Sequence, residues 1–164
     1  MKLIRALSAI FLKLAAPANY SRVMKQHVDD WARRKADELS QMSKRKREEF
    51  NTACIAYDVE TGREYYARNA GVELSGASKN PLLFGSDGSA GLLLQASPNH
   101  LKVGNRAEVD AVNRALNDGA RINNLRIRTI CTGEKHFGQD KPARLNCTHT
   151  FRGRVKGNYS GWTD

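Results

Sequence analysis

Residues 105–113 read Asn-Arg-Ala-Glu-Val-Asp-Ala-Val-Asn, and this stretch decides the fold. Alanines and valines recur at helical spacing as far as Leu116, which predicts an amphipathic helix over residues 106–117. Asn105 is placed to cap the start of this helix, and Gly119 follows where the pattern stops. One face of the helix is apolar, so we expect it to pack on a sheet.

Three stretches with strand-like alternation surround this helix. Residues 52–59 and 64–68 are joined by the turn Glu-Thr-Gly-Arg at residues 60–63, which predicts a β-hairpin. Residues 125–130 read Leu-Arg-Ile-Arg-Thr-Ile, apolar on one face and basic on the other. A short helix is expected to begin near Arg144. This order predicts an α/β (α+β) fold, in which helices pack on a mixed sheet.

The N-terminal third of the chain is predicted to be helical. Apolar residues recur at helical spacing over residues 21–49, so we expect one long helix there. Residues 1–50 then form an N-terminal helical extension, and residues 51–164 form the main domain. Residues 1–18 imitate a signal peptide, but Lys13 interrupts their apolar run. We interpret them as an amphipathic helix, with a cleavable signal peptide as the alternative. No stretch approaches the length of a membrane span.

The chain is strongly basic. Its 164 residues include 27 Lys and Arg against 17 Asp and Glu, a formal net charge of +10 with a pI ≈ 9.8. This charge favours a polyanionic partner such as nucleic acid, an acidic protein or an anionic membrane surface. The densest run is Lys44-Arg45-Lys46-Arg47. It is either a solvated helix end or a contact surface for nucleic acid or an acidic partner.

The cysteines indicate the redox compartment. Cys54, Cys131 and Cys147 form an odd and sparse set, which does not make a disulfide framework. We therefore expect the protein to work in a reducing compartment.

Two predicted helix starts carry residues that point to a chemistry. Glu108 lies in the first turn of one helix, and Cys147 ends the segment Lys-Pro-Ala-Arg-Leu-Asn-Cys that opens the next. These stretches resemble Asn-Cys-Ala-Glu-Val-Asp-Ala-Val-Asn and Pro-Arg-Cys-x-Asn-Cys of the YwqJ-type deaminases, found at the C-termini of bacterial polymorphic toxins. The resemblance covers about residues 50–151 and includes the hairpin stretch Ala-Tyr-Asp-Val-Glu-Thr-Gly.

The resemblance implies a fold, a location and a cofactor. The fold would be the cytidine deaminase-like three-layer fold, a mixed sheet with helices on both faces. The protein would be bacterial, either cytoplasmic or delivered into the cytoplasm of a target cell. By resemblance, Cys147 corresponds to a ligand of the family's zinc ion and Glu108 to its proton shuttle.

Arg106 and Arg144 stand where the family has its other two cysteines. A guanidinium has no available lone pair and stays charged, so neither arginine can be a ligand. Cys147 alone does not hold a catalytic zinc ion, which normally needs three protein ligands. We therefore expect no zinc to bind at this position.

Without zinc, the deamination chemistry should fail. Zinc lowers the pKa of its bound water from about 15.7 to about 7, so its loss makes hydroxide about 12 kcal/mol harder to form. Glu108 acting as a general base would recover only about 3–5 kcal/mol. We therefore expect a pseudoenzyme that keeps the fold, binds nucleobases or nucleic acid, and does not deaminate.

Two other functions stay open. An active zinc-dependent deaminase of cytosine or adenine would need a rebuilt metal site, for which Cys131, His136 and His149 are the candidates. Alternatively, the domain is a basic module that binds an acidic, immunity-like protein. At the degenerate site, the two arginines would form an ion pair with Glu108 that replaces the crosslink made by the metal, form a pocket for a phosphate, or point to solvent.

A long loop is predicted to shape the rim of the site. Residues 69–103 are rich in Gly, Ser, Asn and Pro, and a connection of this length inside a compact domain is usually functional. Phe84 and His100 in this loop are candidates for stacking on bases. Tyr159 and Trp162 in the basic C-terminal tail are further candidates, unless the tail docks on the domain or stays loose.

Overall fold

The structure is a computed structural model that describes residues 17–69, 72, 75–93, 104 and 106–164. The expected helix cap Asn105, the stacking candidate His100 and residues 1–16 of the signal-like stretch lie outside the described residues. Within these described ranges, no helix has both the length and the apolar character needed to cross a membrane.

The described residues form one sheet with helices around it. The strands are β1 (Thr52–Asp58), β2 (Glu64–Arg68), β3 (Leu125–Cys131) and β4 (Gly157–Asn158). The helices are α1 (Pro17–Leu39), α2 (Lys44–Glu49), α3 (Pro81–Phe84), α4 (Ala107–Asn117) and α5 (Leu145–Phe151). The strand order is β2-β1-β3-β4, with β1 antiparallel to β2 and β3, and β4 parallel to β3. The predicted mixed α/β fold is confirmed.

The sheet separates two apolar cores. Ile55 and Tyr57 of β1 pack with Met24 of α1 in one core. Cys54 and Ala56, which alternate with them, pack with α4 and α5 in the other core. Successive side chains of a strand point to opposite faces, so a strand that is buried throughout its length must be covered on both. The molecule therefore has three layers, with helices on both faces of the sheet.

The β1–β2 hairpin is closed by a buried aspartate. The Oδ1 of Asp58 accepts a hydrogen bond from the backbone N–H of Glu60 at 3.0 Å, and its Oδ2 accepts one from the Thr61 hydroxyl at 2.8 Å. Gly62 has a φ of 75°, a conformation that glycine adopts without steric cost. These contacts explain why Asp-Val-Glu-Thr-Gly forms a turn here.

The single long helix predicted over residues 21–49 was wrong in two respects, because α1 already begins at Pro17 and does not continue to residue 49. Helix α1 ends at Leu39, and α2 begins after Ser43, whose side chain accepts a hydrogen bond from the backbone N–H of Lys46. Arg47 reinforces the break, because its guanidinium donates to the backbone carbonyl of Met42 at 2.7 Å. Serine competes for backbone hydrogen bonds in this way and favours a helix start over a helix interior.

Two buried polar residues of α4 hold the following loop in place. The side chain of Asn113 accepts from the backbone N–H of Asn80 and donates to the carbonyl of Ser78, both at 2.8 Å. Asp110 accepts from the Ser75 hydroxyl at 3.2 Å. Asp110 is 1% exposed and Asn113 is fully buried, so these contacts satisfy groups that would otherwise be costly to bury. The Asp and Asn of the helix motif therefore have structural roles.

The C-terminal tail docks on the sheet. The backbone N–H of Tyr159 donates to the carbonyl of Ile127 at 3.0 Å, and the Ser160 hydroxyl accepts from the N–H of Thr129 at 3.1 Å. Trp162 packs against the core that contains α4 and α5. The tail thus completes the β3 side of the sheet.

Candidate functional site

The starts of α4 and α5 lie side by side, as the two motifs predict. Arg106 is the N-cap residue of α4, and Arg144 is the N-cap residue of α5. Both arginines and Glu108 line one small pocket, whose other walls are Thr52, Asn69, Ala107, Lys141 and Pro142. The pocket has a volume of ≈ 10 Å³, which is room for about one water molecule.

Beneath this pocket lies a buried cluster on the sheet. Cys147 of α5 is 1% exposed, and Cys54 of β1 is fully buried. Cys54 pairs directly with Thr129 across the β1–β3 register. The negative charge of Glu108 contributes to raising the pKa of both thiols, so the carboxylate and the two cysteines share one electrostatic environment.

The Glu108 carboxyl is buried beside positive charges. Burial raises its pKa above the ordinary value, because the protein interior solvates the charged form poorly. The backbone N–H of Glu108 and the charges of Arg106 and Lys141 oppose this rise, as does the nearby Thr129 hydroxyl. The site therefore combines a group that resists ionisation with cations that favour it.

The Cys147 thiol is held in its neutral form. Burial raises its pKa well above the ordinary value, the Glu108 charge adds to the rise, and the Arg106 charge opposes it. Burial thus outweighs the positive charge of Arg106 at this thiol.

The side chains at the site do not fit a zinc ion. Arg106 and Arg144 offer no lone pair, and the described part of the chain contains no group of three or more His, Cys, Asp or Glu side chains that could hold a metal. Of the residues considered for a rebuilt site, His136 and His149 are exposed, and Cys131 lies at the end of β3. We therefore assign no metal to this site.

Three cations meet at the pocket instead. Lys141 is half-buried, and its Nζ donates to the Thr52 hydroxyl at 2.6 Å. Burial lowers the pKa of Lys141, and repulsion from Arg144 and Arg106 lowers it further, against the opposing effects of Cys131 and Glu108. The Nε of Arg106 is buried and has no hydrogen-bond partner within the described residues. A single anion bound here would offset this repulsion.

The sequence reasoning missed three residues of this site. Lys141 begins the second motif, and its position just before the helix start is the signal that identifies it as a site residue. Cys54 and Thr129 carry no local motif, because only the pairing of β1 with β3 brings them beneath Glu108.

Among the described residues, the stacking candidates Phe84, Tyr159 and Trp162 do not line this pocket. Phe84 packs against the core, with Lys79 Nζ 5.6 Å from its ring centroid. Tyr159 packs on the α1 side of the sheet and its hydroxyl accepts from Arg126 at 2.6 Å, while Trp162 is packed on the other core. These three aromatic rings are part of the packed domain.

The basic run at residues 44–47 is also separate from the pocket. It lies on α2, where Lys44 and Arg47 line a larger groove and Arg45 and Lys46 do not. The structure thus divides the run into two pairs with different surroundings.

Comparison of the chain with protein-family models, curated proteins and solved structures found no match. The class that the fold and site define is a three-layer α/β domain with a cationic pocket over a buried carboxyl and two thiols.

Proposed function

We propose that this chain is a deaminase-fold domain of the bacterial toxin type that binds nucleic acid and does not deaminate bases. The observation that carries the proposal is the meeting of Arg106, Lys141 and Arg144 around Glu108. The resemblance assigns zinc to this position, and the chain has a cluster of cations there.

The pocket favours phosphate over base as the bound group. A volume of ≈ 10 Å³ is too small to admit a nucleobase. A phosphate oxygen needs only the pocket mouth, where Arg144 is exposed. Phosphate contacts supply affinity without reading sequence, which also suits a chain of net charge +10.

The same residues explain why we expect no deamination. Glu108 occupies the position of the proton shuttle, but a proton shuttle needs an activated water to act on. The donor set at the site does not supply the three ligands that a catalytic zinc requires.

A binding measurement tests the nucleic-acid proposal. We expect Arg106→Ala with Arg144→Ala to weaken binding of a fluorescein-labelled single-stranded oligonucleotide about tenfold, and to reduce the salt slope by about 1.4. The matched control is Arg33→Ala with Arg34→Ala, which removes two exposed arginines from α1. Equal loss in both double variants would show that the pocket is not the binding site.

An activity measurement separates the proposal from the rebuilt-site alternative. The purified wild-type chain, supplied with zinc, should convert neither cytosine to uracil nor adenine to hypoxanthine in oligonucleotides. Its zinc content after dialysis should be well below one per chain. One bound zinc together with base conversion would establish the active deaminase instead.

A further inference from the structure

A groove of ≈ 750 Å³ lies next to the cationic pocket and shares Thr52 with it. It runs between α1, α2, the end of the sheet and the turn Glu134–His136. Thr52 is the only residue common to the linings of the groove and the pocket among the described residues. This volume is within the range of about 300–1,000 Å³ that is typical of binding sites.

The floor of the groove is apolar. Its walls on α1 carry side chains at helical spacing, and the apolar lining residues are Trp31, Ala32, Ala36, Leu39, Phe50 and Ala53. The α1 wall from Trp31 to Leu39 is about 12 Å long, which matches about two turns of a second helix. An amphipathic helix binds to such a groove through residues spaced three and four apart.

The aromatic rings of the groove are already engaged. Trp31 stacks on Tyr66 with a centroid distance of 5.5 Å, and Lys35 Nζ lies 5.7 Å from the Trp31 ring. The Arg68 guanidinium lies 4.5 Å from the Phe50 centroid. The groove therefore offers aliphatic surface and ring edges rather than stacking platforms, which argues against single-stranded nucleic acid as its occupant.

The rim of the groove is positive. Its Lys and Arg residues are Lys35, Lys44, Arg47, Arg68 and Lys135, against Glu48 and Glu134. Five positive and two negative charges give a formal net charge of +3 at the rim. This charge favours an acidic partner over a basic one.

From the apolar floor and the positive rim, we propose that the groove binds an acidic amphipathic helix of a partner protein. The apolar stripe of that helix packs on Ala36 and Leu39, and its carboxylates face Lys44, Lys135 and Arg68. The proposal gives the basic run at residues 44–47 a defined role, because only its groove-lining pair contacts the partner. It is independent of the nucleic-acid proposal.

A peptide-binding measurement tests the groove. The probe is a labelled peptide of about 14 residues that presents a leucine stripe flanked by glutamates when helical. It should bind at least about tenfold tighter than a scrambled peptide of the same composition, or a peptide with lysines in place of the glutamates. Equal binding of the scrambled peptide, or no binding of the acidic one, would overturn the proposal.

Paired charge reversals locate the binding. Lys44→Glu with Lys135→Glu should weaken peptide binding about tenfold, whereas Arg45→Glu with Lys46→Glu should change it by about twofold or less. Both pairs change the net charge equally, and all four side chains are exposed. An equal loss of peptide affinity in both double variants would show that overall charge determines binding. That result would refute the assignment to the groove.

A steric pair tests the floor. Ala36→Trp should block the groove and weaken peptide binding about tenfold, and Asp37→Trp, at the next position outside the lining, should not. The pocket variant Arg106→Ala with Arg144→Ala should bind the peptide like the wild type. Unimpaired binding to Ala36→Trp, or displacement of the peptide by an equimolar single-stranded oligonucleotide, would contradict the proposal.

Discussion

Arg106 lies two residues before Glu108, and its positive charge opposes the rise that burial causes in the pKa of that carboxyl. The same charge opposes the rise in the pKa of the Cys147 thiol. Arg106 is thus the electrostatic neighbour of both residues that the resemblance assigns to zinc chemistry. A guanidinium therefore supplies positive charge to both groups.

The first prediction concerns α1 as an integral layer of the fold. Met24 is fully buried in the core between α1 and the sheet. Met24→Ala should lower the free energy of unfolding by about 2–5 kcal/mol, because it removes buried methylenes and leaves a cavity. Denaturant unfolding measures this change. Arg33→Ala on the exposed face should change it by less than about 0.5 kcal/mol. Equal stability of both variants would mean that α1 does not pack as described.

The second prediction concerns ionisation of Tyr65. Burial, followed by its hydrogen bond to Asp118, raises the pKa of Tyr65 to about 12. Because the neutral phenol is favoured in the folded state, its stabilising contribution is full below the ordinary pKa of about 10 and is lost as the pH rises towards 12. Asp118→Asn should lower the Tyr65 pKa, since it removes a negative charge 2.6 Å from the hydroxyl.

Tyrosinate absorbance, taken as the difference between each protein and its Tyr65→Phe counterpart, isolates this titration. Arg63 stays in the Asp118→Asn variant, where its charge still favours the ionised phenol. An unchanged Tyr65 titration would show that Asp118 does not act on the phenol.

Local pattern predicted most of the fold. The β1–β2 hairpin, the alternation of β3, helix α4 and the start of α5 near Arg144 are all where the sequence places them, within about a residue at each end. These elements are defined by short-range signals such as periodicity, turn residues and a terminating glycine. The break after Leu39 was not predicted, because apolar residues continue at helical spacing beyond it. The Ser43 side chain nevertheless caps a new helix there.

The site was predictable only in part. The two motifs placed Arg106, Glu108 and Arg144 together, and the structure confirms that they line one pocket. The positions of Cys54 and Thr129 depend on strand register, which no local pattern specifies. The docking of Trp162 also depends on long-range packing. The sequence alone therefore could not distinguish a tail that packs on the domain from a tail that contacts nucleic acid.

The most direct test of the account restores the two cysteines. Arg106→Cys places a thiol at the start of α4, and Arg144→Cys places one at the start of α5. Together with Cys147 they make the three ligands that a catalytic zinc needs. The account predicts about one zinc per chain by elemental analysis, lost when Cys147→Ser is added. A folded double variant that binds no zinc would contradict it.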